Sequence, residues 1–553
     1  MVRDLDALKD KKFDILVIGG GISGACLAWD ASLRGLKVAL IEKEDFGHGT
    51  SAATSKMLHG GLRYLANYEF KVVRESLRER RHLAKIMPHL AFPLPFLLPV
   101  YKNSGTPKWM LRIGLFLYDL LSFDKNFIND PDKYLSNHKW YNKEEALSLE
   151  PNLEPKGLKG AFHYYDAQNR YPERANLEFV LSAADQGATV ANYLEVTDFT
   201  LKDEFGKQRI EGVTVQDNLK REKPFKIRAN VVINATGPWA DNLIQSFSEK
   251  KKSKVVRSKG IHLLFPKLIN QSALAFETKD RRHFFVIPWL NYTLIGTTDT
   301  SYEGDLNKVR VNKAEVEEFL EQVNSLFPAN LTIENVLHSY CGIRPLAAQD
   351  EGTGGGTYNI SRKHELVDHG KKNKVEGLFS VFGGKWTTSR ALAQYALDII
   401  LKRMNIPALP CNTAKTQLSG DEIPERFTHW RDKKIAEMSE SYPVDTATHL
   451  IEYYGAKCNR LFDFMQEKSK LKKLITRTNL YCIGQIEYAV KHEMAFHLSD
   501  FMMRRSLIGN TGIPAHETTV EIAEHMGRLL GWSKAEREKQ MEEYFEQNRI
   551  TGL

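Results

Sequence analysis

The sequence predicts an α/β protein with a dinucleotide-binding parallel sheet, a second layer of antiparallel strands and a helical C-terminal region. Three observations predict it. Residues 13–42 read as strand, glycine turn, helix, strand and terminal acid. A β run ending in a glycine turn before a helix start recurs at 225–239 and at 378–388. From Ile423 onward, strand signals give way to helical spacing.

The first stretch, FDILVIGGGISGACLAWDASLRGLKVALIE, opens on Ile15-Leu16-Val17-Ile18, an apolar run with the length of a buried parallel strand. Gly19, Gly21 and Gly24 follow at the spacing G-x-G-x-x-G. A helix-compatible segment runs from Ala25 to Leu33, Gly35 ends it, and a second β-rich run from Lys37 stops at Glu42. The first glycine permits the sharp turn, the second lets a pyrophosphate approach the backbone, and the third lets helix and strand pack closely. The helix N-terminus offers N–H groups and the positive end of its dipole to phosphates. Glu42, about 20 residues on, can accept hydrogen bonds from ribose hydroxyls. The alternative is a glycine-rich turn that binds nothing, and the full strand–helix–strand–acid context favours the dinucleotide.

Composition bounds the rest. A chain of 553 residues, 42% hydrophobic and 26% charged, suits a soluble globular protein of two or three domains. The cysteines Cys26, Cys341, Cys411, Cys458 and Cys482 form no CxxC pair, so neither a disulfide framework nor a metal site is expected. The polar start MVRDLDALKDKKFD lacks the apolar core of a signal peptide, and no apolar run reaches transmembrane length. A net charge of +8 suits anionic substrates or an anionic membrane surface. No nucleic-acid motif accompanies it, so nucleic acid is not expected as a partner. The basic runs from Lys250 to Lys259 and from Lys468 to Arg477 read as solvated faces.

Between the glycine turns, residues 43–63 form a Gly/Ser/Thr-rich loop in which His59-Gly60-Gly61 sets an imidazole beside flexible backbone, with Arg63 and Tyr64 next. Residues 69–87 have the spacing of an exposed amphipathic helix. Residues 88–101 carry four prolines and cannot be one helix. Residues 108–123, KWMLRIGLFLYDLLSF, predict an apolar helix, either packed in a core or lying in a membrane interface, and too short to span. A helix from Arg174 to Gln186 and strands at 189–193, 209–215 and 225–233 lead into Asn234-Ala235-Thr236-Gly237-Pro238-Trp239, a second backbone approach to a dinucleotide. Strands at 259–265, 284–288 and 293–298 form the antiparallel layer. Gly342 to Leu346 sets Arg344 before a rigid turn, 351–356 is a flexible loop, and Arg362 follows. Residues 405–424 read as a linker, and 485–505 as one amphipathic helix of mixed charge.

The motifs DILVIGGGISGA, TSxxTSKMLHGGLRYL, PHLAFPLPFLLP, RIGLFLYDLL, INATGPWAD, FVIPW, IGTTDT, GIRPL and SVFGGKWTTSRALA lie along this path. With them the sequence resembles FAD-dependent, quinone-linked glycerol-3-phosphate dehydrogenases, densely over residues 13–400 and more loosely in the helical tail. SKMLHGGLRYL together with GGKWTT is far more specific than the glycine fingerprint. The chain departs from the family pattern in YYDAQNRYPER, where D-A-R is common, and in KGIH, where a Ser often precedes the His.

The resemblance implies a D-amino-acid-oxidase-like, FAD/NAD(P)-binding Rossmann-like flavoprotein with a mixed-sheet substrate cap and a C-terminal helical domain. Its FAD domain would comprise 1–90, 166–245 and 341–404, its cap 91–165 and 246–340, a linker 405–422, and the helical domain 423–553. The resemblance places FAD at Gly19, Gly21, Gly24, Glu42, Thr50, Ser51, Ser55, Lys56, Ala235, Gly237, Gly384 and Thr387. It places catalysis at His59, His262, Arg344 and Lys385, and substrate contacts at Arg63, Tyr64, Arg344 and Arg362. The implied partners are sn-glycerol 3-phosphate, a membrane quinone and an anionic membrane surface at the cytoplasmic face. The oligomeric state stays open, a homodimer included. The expected chemistry is oxidation to dihydroxyacetone phosphate, with arginines on the phosphate dianion and His59, or else His262, as base. The alternatives are a glycerol-3-phosphate oxidase using oxygen, an FAD amine or amino-acid oxidase, and a non-catalytic flavin-binding membrane scaffold.

Overall fold

Two sheets organise the strands. The computed structural model describes residues 1–204, 206–220, 222–245, 255–278, 282–347, 364–372, 374–418, 423 and 426–553. In the first sheet, Lys12–Ile18 lies between Val38–Ile41 and Phe225–Asn234, parallel to both. Leu378–Phe382 extends the parallel set on one side and Thr189–Ala191 on the other. Every side chain from Ile15 to Ile18 is buried, as a strand covered on both faces demands. Ile15 and Val17 join the core formed with the helix Ile22–Leu33, while Leu16 and Ile18 join Phe199 and Val213 of an antiparallel meander on the other face.

The helix after the first turn begins at Ile22, earlier than its apolar spacing suggested, because the Ser51 hydroxyl accepts from the Ile22 N–H at 2.9 Å. A Cβ on Gly24 would meet the Gly19 carbonyl oxygen at 1.8 Å. Helix and turn therefore pack at a distance that only glycine permits.

In the second, mixed sheet, Val255–Pro266 pairs antiparallel with both Tyr292–Gly296 and His338–Ala347. The sheet continues through His283–Trp289, Ala273–Glu277, Ala91–Tyr101 and Leu158–Asn169 to Met57–Leu58. The proline-rich stretch is thus a strand. Pro93, Pro95 and Pro99 share one parity, so the missing N–H groups all fall on one edge. Ala91–Tyr101 pairs along its length with Leu158–Asn169, but only at Phe96 and Leu97 with Ala273–Leu274.

Several expectations are corrected. Arg344 precedes no turn. It lies within the strand His338–Ala347, which crosses the domain boundary expected at 340, and Pro345 is tolerated because, among the described residues, this strand pairs only with Val255–Pro266. The helix Phe70–Ile86 is less exposed than its charges suggest, since Glu79 and Arg80 are buried on ion pairs with Arg390 and Asp166. The stretch 485–505 is not one surface helix. It breaks after Ile483–His492 and ends in a π-helical turn, Phe501–Arg505, whose Ser506 N–H reaches back to the Phe501 carbonyl. Its charged side chains Glu493, Arg504 and Arg505 are buried against other parts of the fold. The helix Lys108–Leu121 seats Leu115 and Tyr118 in the core, with Leu111, Leu117 and Leu121 packed against it, and leaves Trp109 62% and Phe116 61% exposed, so core packing accounts for one face of this segment and not for the other.

Helices from Phe427 to Asn548 complete the fold and pack on the parallel-sheet side, where Tyr453, Tyr454 and Phe501 share a core with Trp29 and Phe179. Among the described residues, no helix is long and apolar enough to cross a membrane.

Candidate active site

One cavity of about 1230 Å³ is lined by residues of both sheets. Its first wall is built at the C-terminal ends of the parallel strands, where open α/β sheets bind ligands. Gly19, Gly21, Glu42, Thr50, Ser51, Ala235 and Gly237 line it. Glu42 accepts from the Gly20 N–H at 2.7 Å and the Glu44 N–H at 3.0 Å. Burial raises the Glu42 carboxyl above its ordinary value, opposed by those two N–H groups. The Thr50 hydroxyl donates to the Ile343 carbonyl at 2.5 Å and so ties this wall to the strand that carries Arg344.

The second wall gathers His59, Arg63, Tyr64, His262, Arg344, Gly384, Lys385 and Thr387. Arg344 donates to the Ser258 hydroxyl at 3.1 Å, the Thr297 hydroxyl at 2.7 Å and the Thr298 carbonyl at 3.0 Å, with Asp299 at 3.5 Å. Its guanidinium lies across Gly260, where a Cβ would stand 2.1 Å from Nη2. Two cations lie against the Tyr64 ring: the Arg63 guanidinium at 4.8 Å and the Lys385 ammonium at 4.2 Å from the centroid. Lys385 also donates to the Ser76 hydroxyl at 2.9 Å.

His262 is stacked on Tyr340 with centroids 5.0 Å apart, and its Nε2 lies 2.8 Å from the Ser55 hydroxyl oxygen. Burial pushes its pKa down to about 3, with the charges of Arg344 and Lys56 adding to the effect. The ring is therefore neutral at physiological pH. His59 sits on a turn held from behind. The Gly60 N–H is shared by the Tyr118 hydroxyl at 2.9 Å and Asp166 at 3.2 Å, and Tyr118 donates to Asp166 at 2.8 Å. Arg80 pairs with the same buried carboxylate.

Two of the expected residues stand apart from this cavity. Gly24 acts through packing, as described above. The Lys56 side chain points inward, pairing with buried Glu173 at 2.9 Å under the Trp289 ring, because the chain turns there with φ of 54°. Arg362 lies outside the described residues. Conversely, Asp166, Tyr118, Ser258 and Asp299 carry or hold the site but were not singled out. Asp166 and Tyr118 lie inside YYDAQ and RIGLFLYDLL, and Asp299 inside IGTTDT, so the motifs marked the places without marking the residues.

The model of the FAD dependent oxidoreductase family matches residues 14–399, and that of the C-terminal domain of alpha-glycerophosphate oxidase matches 411–537. A glycerol-3-phosphate dehydrogenase of Synechocystis sp. is 35% identical over 99% of both chains. The chain belongs to the FAD-dependent glycerol-3-phosphate dehydrogenase family. A second family member, the aerobic glycerol-3-phosphate dehydrogenase of Staphylococcus haemolyticus, is 32% identical over 96% of this chain and 93% of its own. The family fold is seen in a glycerol-3-phosphate dehydrogenase from Bacillus halodurans complexed with FAD, with 27% identity, a TM-score of 0.77, and coverage of 98% of this chain and 95% of that one.

FAD is the cofactor of this family, and the residues present fit it. A dinucleotide needs a long cavity at the ends of parallel strands, a glycine turn at a helix start, and an acid after the second strand. All three meet in the first wall, with Gly19 and Gly21 beside the start of Ile22–Leu33 and Glu42 next to them.

Proposed function

We propose that the chain oxidises sn-glycerol 3-phosphate to dihydroxyacetone phosphate and hands the electrons to a membrane quinone. The observation that carries this reading is the gathering of Arg63, Arg344 and Lys385 with two imidazoles on one wall of the dinucleotide cavity. A small dianionic phosphate ester needs several cationic donors, and an alcohol oxidation needs one base. Arg344, fixed by Ser258, Thr297 and Thr298, is the principal phosphate anchor, with Arg63 lining the same cavity and Arg362 assigned by resemblance. FAD, when bound, supplies the acceptor for the hydride from C2. His59 takes the proton of the C2 hydroxyl. His262, with a pKa near 3, is too weak a base for that step at neutral pH and serves as a neutral hydrogen-bonding ring held by Ser55. Lys385 holds negative charge developing beside the cofactor ring.

The quinone reading draws support from the helix Lys108–Leu121. Trp109, Met110, Ile113, Phe116 and Leu120 face outward, Phe123 and Phe127 continue the apolar surface, and Lys108 and Arg112 flank it. Aromatic and cationic residues beside an apolar face suit a peripheral site at an anionic membrane. Met110 and Ile113 also line the cavity, so a lipid-soluble acceptor would meet apolar contacts from the surface inward. A second reading, reoxidation by oxygen, is favoured by the oxidase named in the C-terminal family model. Anaerobic addition of glycerol 3-phosphate must bleach the flavin. Readmitted quinone analogue or oxygen then decides between the acceptors by the rate at which colour returns. A flavin that stays oxidised in excess substrate would overturn both readings.

A further inference from the structure

The turn from Glu42 to His48 has two sides. On one, Glu42, Lys43, Glu44 and His48 line the cofactor cavity. On the other, Asp45 is fully buried and is gripped by the C-terminal helical region. Arg504 Nε donates to Asp45 Oδ2 at 2.5 Å, Arg505 Nη2 donates to Oδ1 at 2.8 Å, and Arg505 Nη1 binds Oδ2 as well. Asn192 adds a donor to Oδ1 at 3.0 Å.

These arginines are themselves locked. Arg504 Nη2 donates to Asp500 at 2.8 Å, and Tyr193 donates to the same oxygen at 2.7 Å. Arg505 Nη2 donates to the Glu493 carbonyl at 2.7 Å. The two are neighbours in sequence, yet both converge on one carboxylate. The wide π turn Phe501–Arg505 makes this possible, since its successive side chains are rotated less than in an α-helix. Two carboxylates and two guanidiniums thus close a neutral, buried cluster one residue behind the cavity wall. A buried carboxylate at a loop is costly unless paired this fully. Nothing in the cavity chemistry needs Asp45 to be acidic.

We propose that the C-terminal helical region is a cofactor clamp: by holding Asp45 through Arg504 and Arg505, it keeps the turn Glu42–His48 against the adenosine end of FAD. The proposal rests on FAD binding and stands independently of the substrate. It also gives the helical region a task at a site that it does not itself line, since no residue from Leu498 to Ser506 borders the cavity.

The test is the dissociation constant of FAD, measured by fluorescence on reconstituting apoprotein of the full chain. Arg504→Gln should raise it roughly 10- to 100-fold, the scale of lost charge-assisted hydrogen bonds, while the KM for glycerol 3-phosphate at saturating FAD stays within twofold. Arg504→Lys, which keeps the charge, should recover most of the affinity. Glu452→Gln serves as control, because Glu452 bridges Arg170 and Arg431 between the same two regions but away from the turn, and it should leave FAD affinity unchanged. By reciprocity, FAD binding must slow hydrogen exchange in residues 498–506. Should Arg504→Gln yield no folded protein, Asn192→Ser, which removes one bond to Asp45 and keeps both arginines, must raise the constant about threefold or more. An unchanged FAD constant in the folded variant, or equal losses in Arg504→Gln and Glu452→Gln, overturns the proposal.

Discussion

Gly260→Ala should disable phosphate binding without touching a charged residue. The added Cβ would stand 2.1 Å from Arg344 Nη2, 2.7 Å from Cζ and 2.5 Å from the Thr297 hydroxyl. Ordinary contact starts near 3.4 Å, so the guanidinium must retreat by more than 1 Å. That retreat breaks the bonds from Nη2 to Thr297 and to Thr298, now 2.7 and 3.0 Å. The atoms met are side-chain ends, so the strand Val255–Pro266 keeps its pairing and the melting temperature should fall only slightly. A charge-assisted contact to phosphate is worth about 1.5–3 kcal/mol, so KM for glycerol 3-phosphate should rise roughly 10- to 150-fold. Arg344→Ala should do the same with FAD still bound. The decisive measurement is the double variant. If Gly260 acts only through Arg344, the pair is strongly non-additive and the double variant resembles Arg344→Ala. Parent-like KM in Gly260→Ala, or a double-variant loss equal to the sum of the single losses, would refute the reasoning.

Three further outcomes are expected. His59→Asn keeps a hydrogen-bonding side chain but takes no proton near neutral pH, so stopped-flow flavin reduction should slow roughly 10²–10⁴-fold and lose its dependence on a group titrating near pH 6–7; a parent-like rate and profile would remove His59 as the base. Replacing Trp109 and Phe116 with Ser should reduce flotation with anionic vesicles and quinone reduction while sparing turnover with a soluble dye, and loss of both activities together would contradict the surface role. Acid should destabilise the fold early. Burial holds His262 near pKa 3 and His89, His338 and His449 near 4, against about 6.5 when unfolded, so these rings take up protons only on unfolding. Stability is then flat above neutrality and falls as pH drops from 6.5 toward 4, by about 1.4 kcal/mol per unit for each ring. His449→Gln should make the urea midpoint less steep in that window, and an unchanged slope would count against it.

Legibility in the sequence followed the range of the interactions involved. The first βαβ unit was readable because its signals are local: an apolar run, three glycines and an acid within residues 13–42. The strand Leu378–Phe382, within the run expected over 378–388, was readable for the same reason. The prolines at 93–99 rightly excluded a helix without announcing the strand, and Pro345 misled, because the cost of a proline in a strand depends on whether a neighbouring strand needs the lost N–H, and that neighbour is remote in sequence. Charge misled too. Arg504 and Arg505 look like the polar face of a helix until Asp45, 459 and 460 residues away, is placed beside them. Lys56 carries a motif position but turns its ammonium to Glu173, a choice set by a left-handed backbone that no side-chain pattern announces. The cationic wall of the cavity was legible as residue types, whereas its supports Ser258, Tyr118 and Asp166 were not, since support is a matter of distance.

Tyr118 joins two places with opposite surroundings. Its helix shows an apolar face to the outside, while its hydroxyl sits between the Gly60 N–H at 2.9 Å and the Asp166 carboxylate at 2.8 Å. Both bonds tolerate a few tenths of an ångström, whereas sliding the helix by one residue moves it 1.5 Å along its axis. The outer helix therefore has a single seating compatible with the turn behind His59. The phenol works as a locating pin, and with the Arg74 guanidinium on the Leu121 carbonyl and the His138 N–H on Asp119 it fixes the apolar face in one orientation relative to the turn that carries the imidazole.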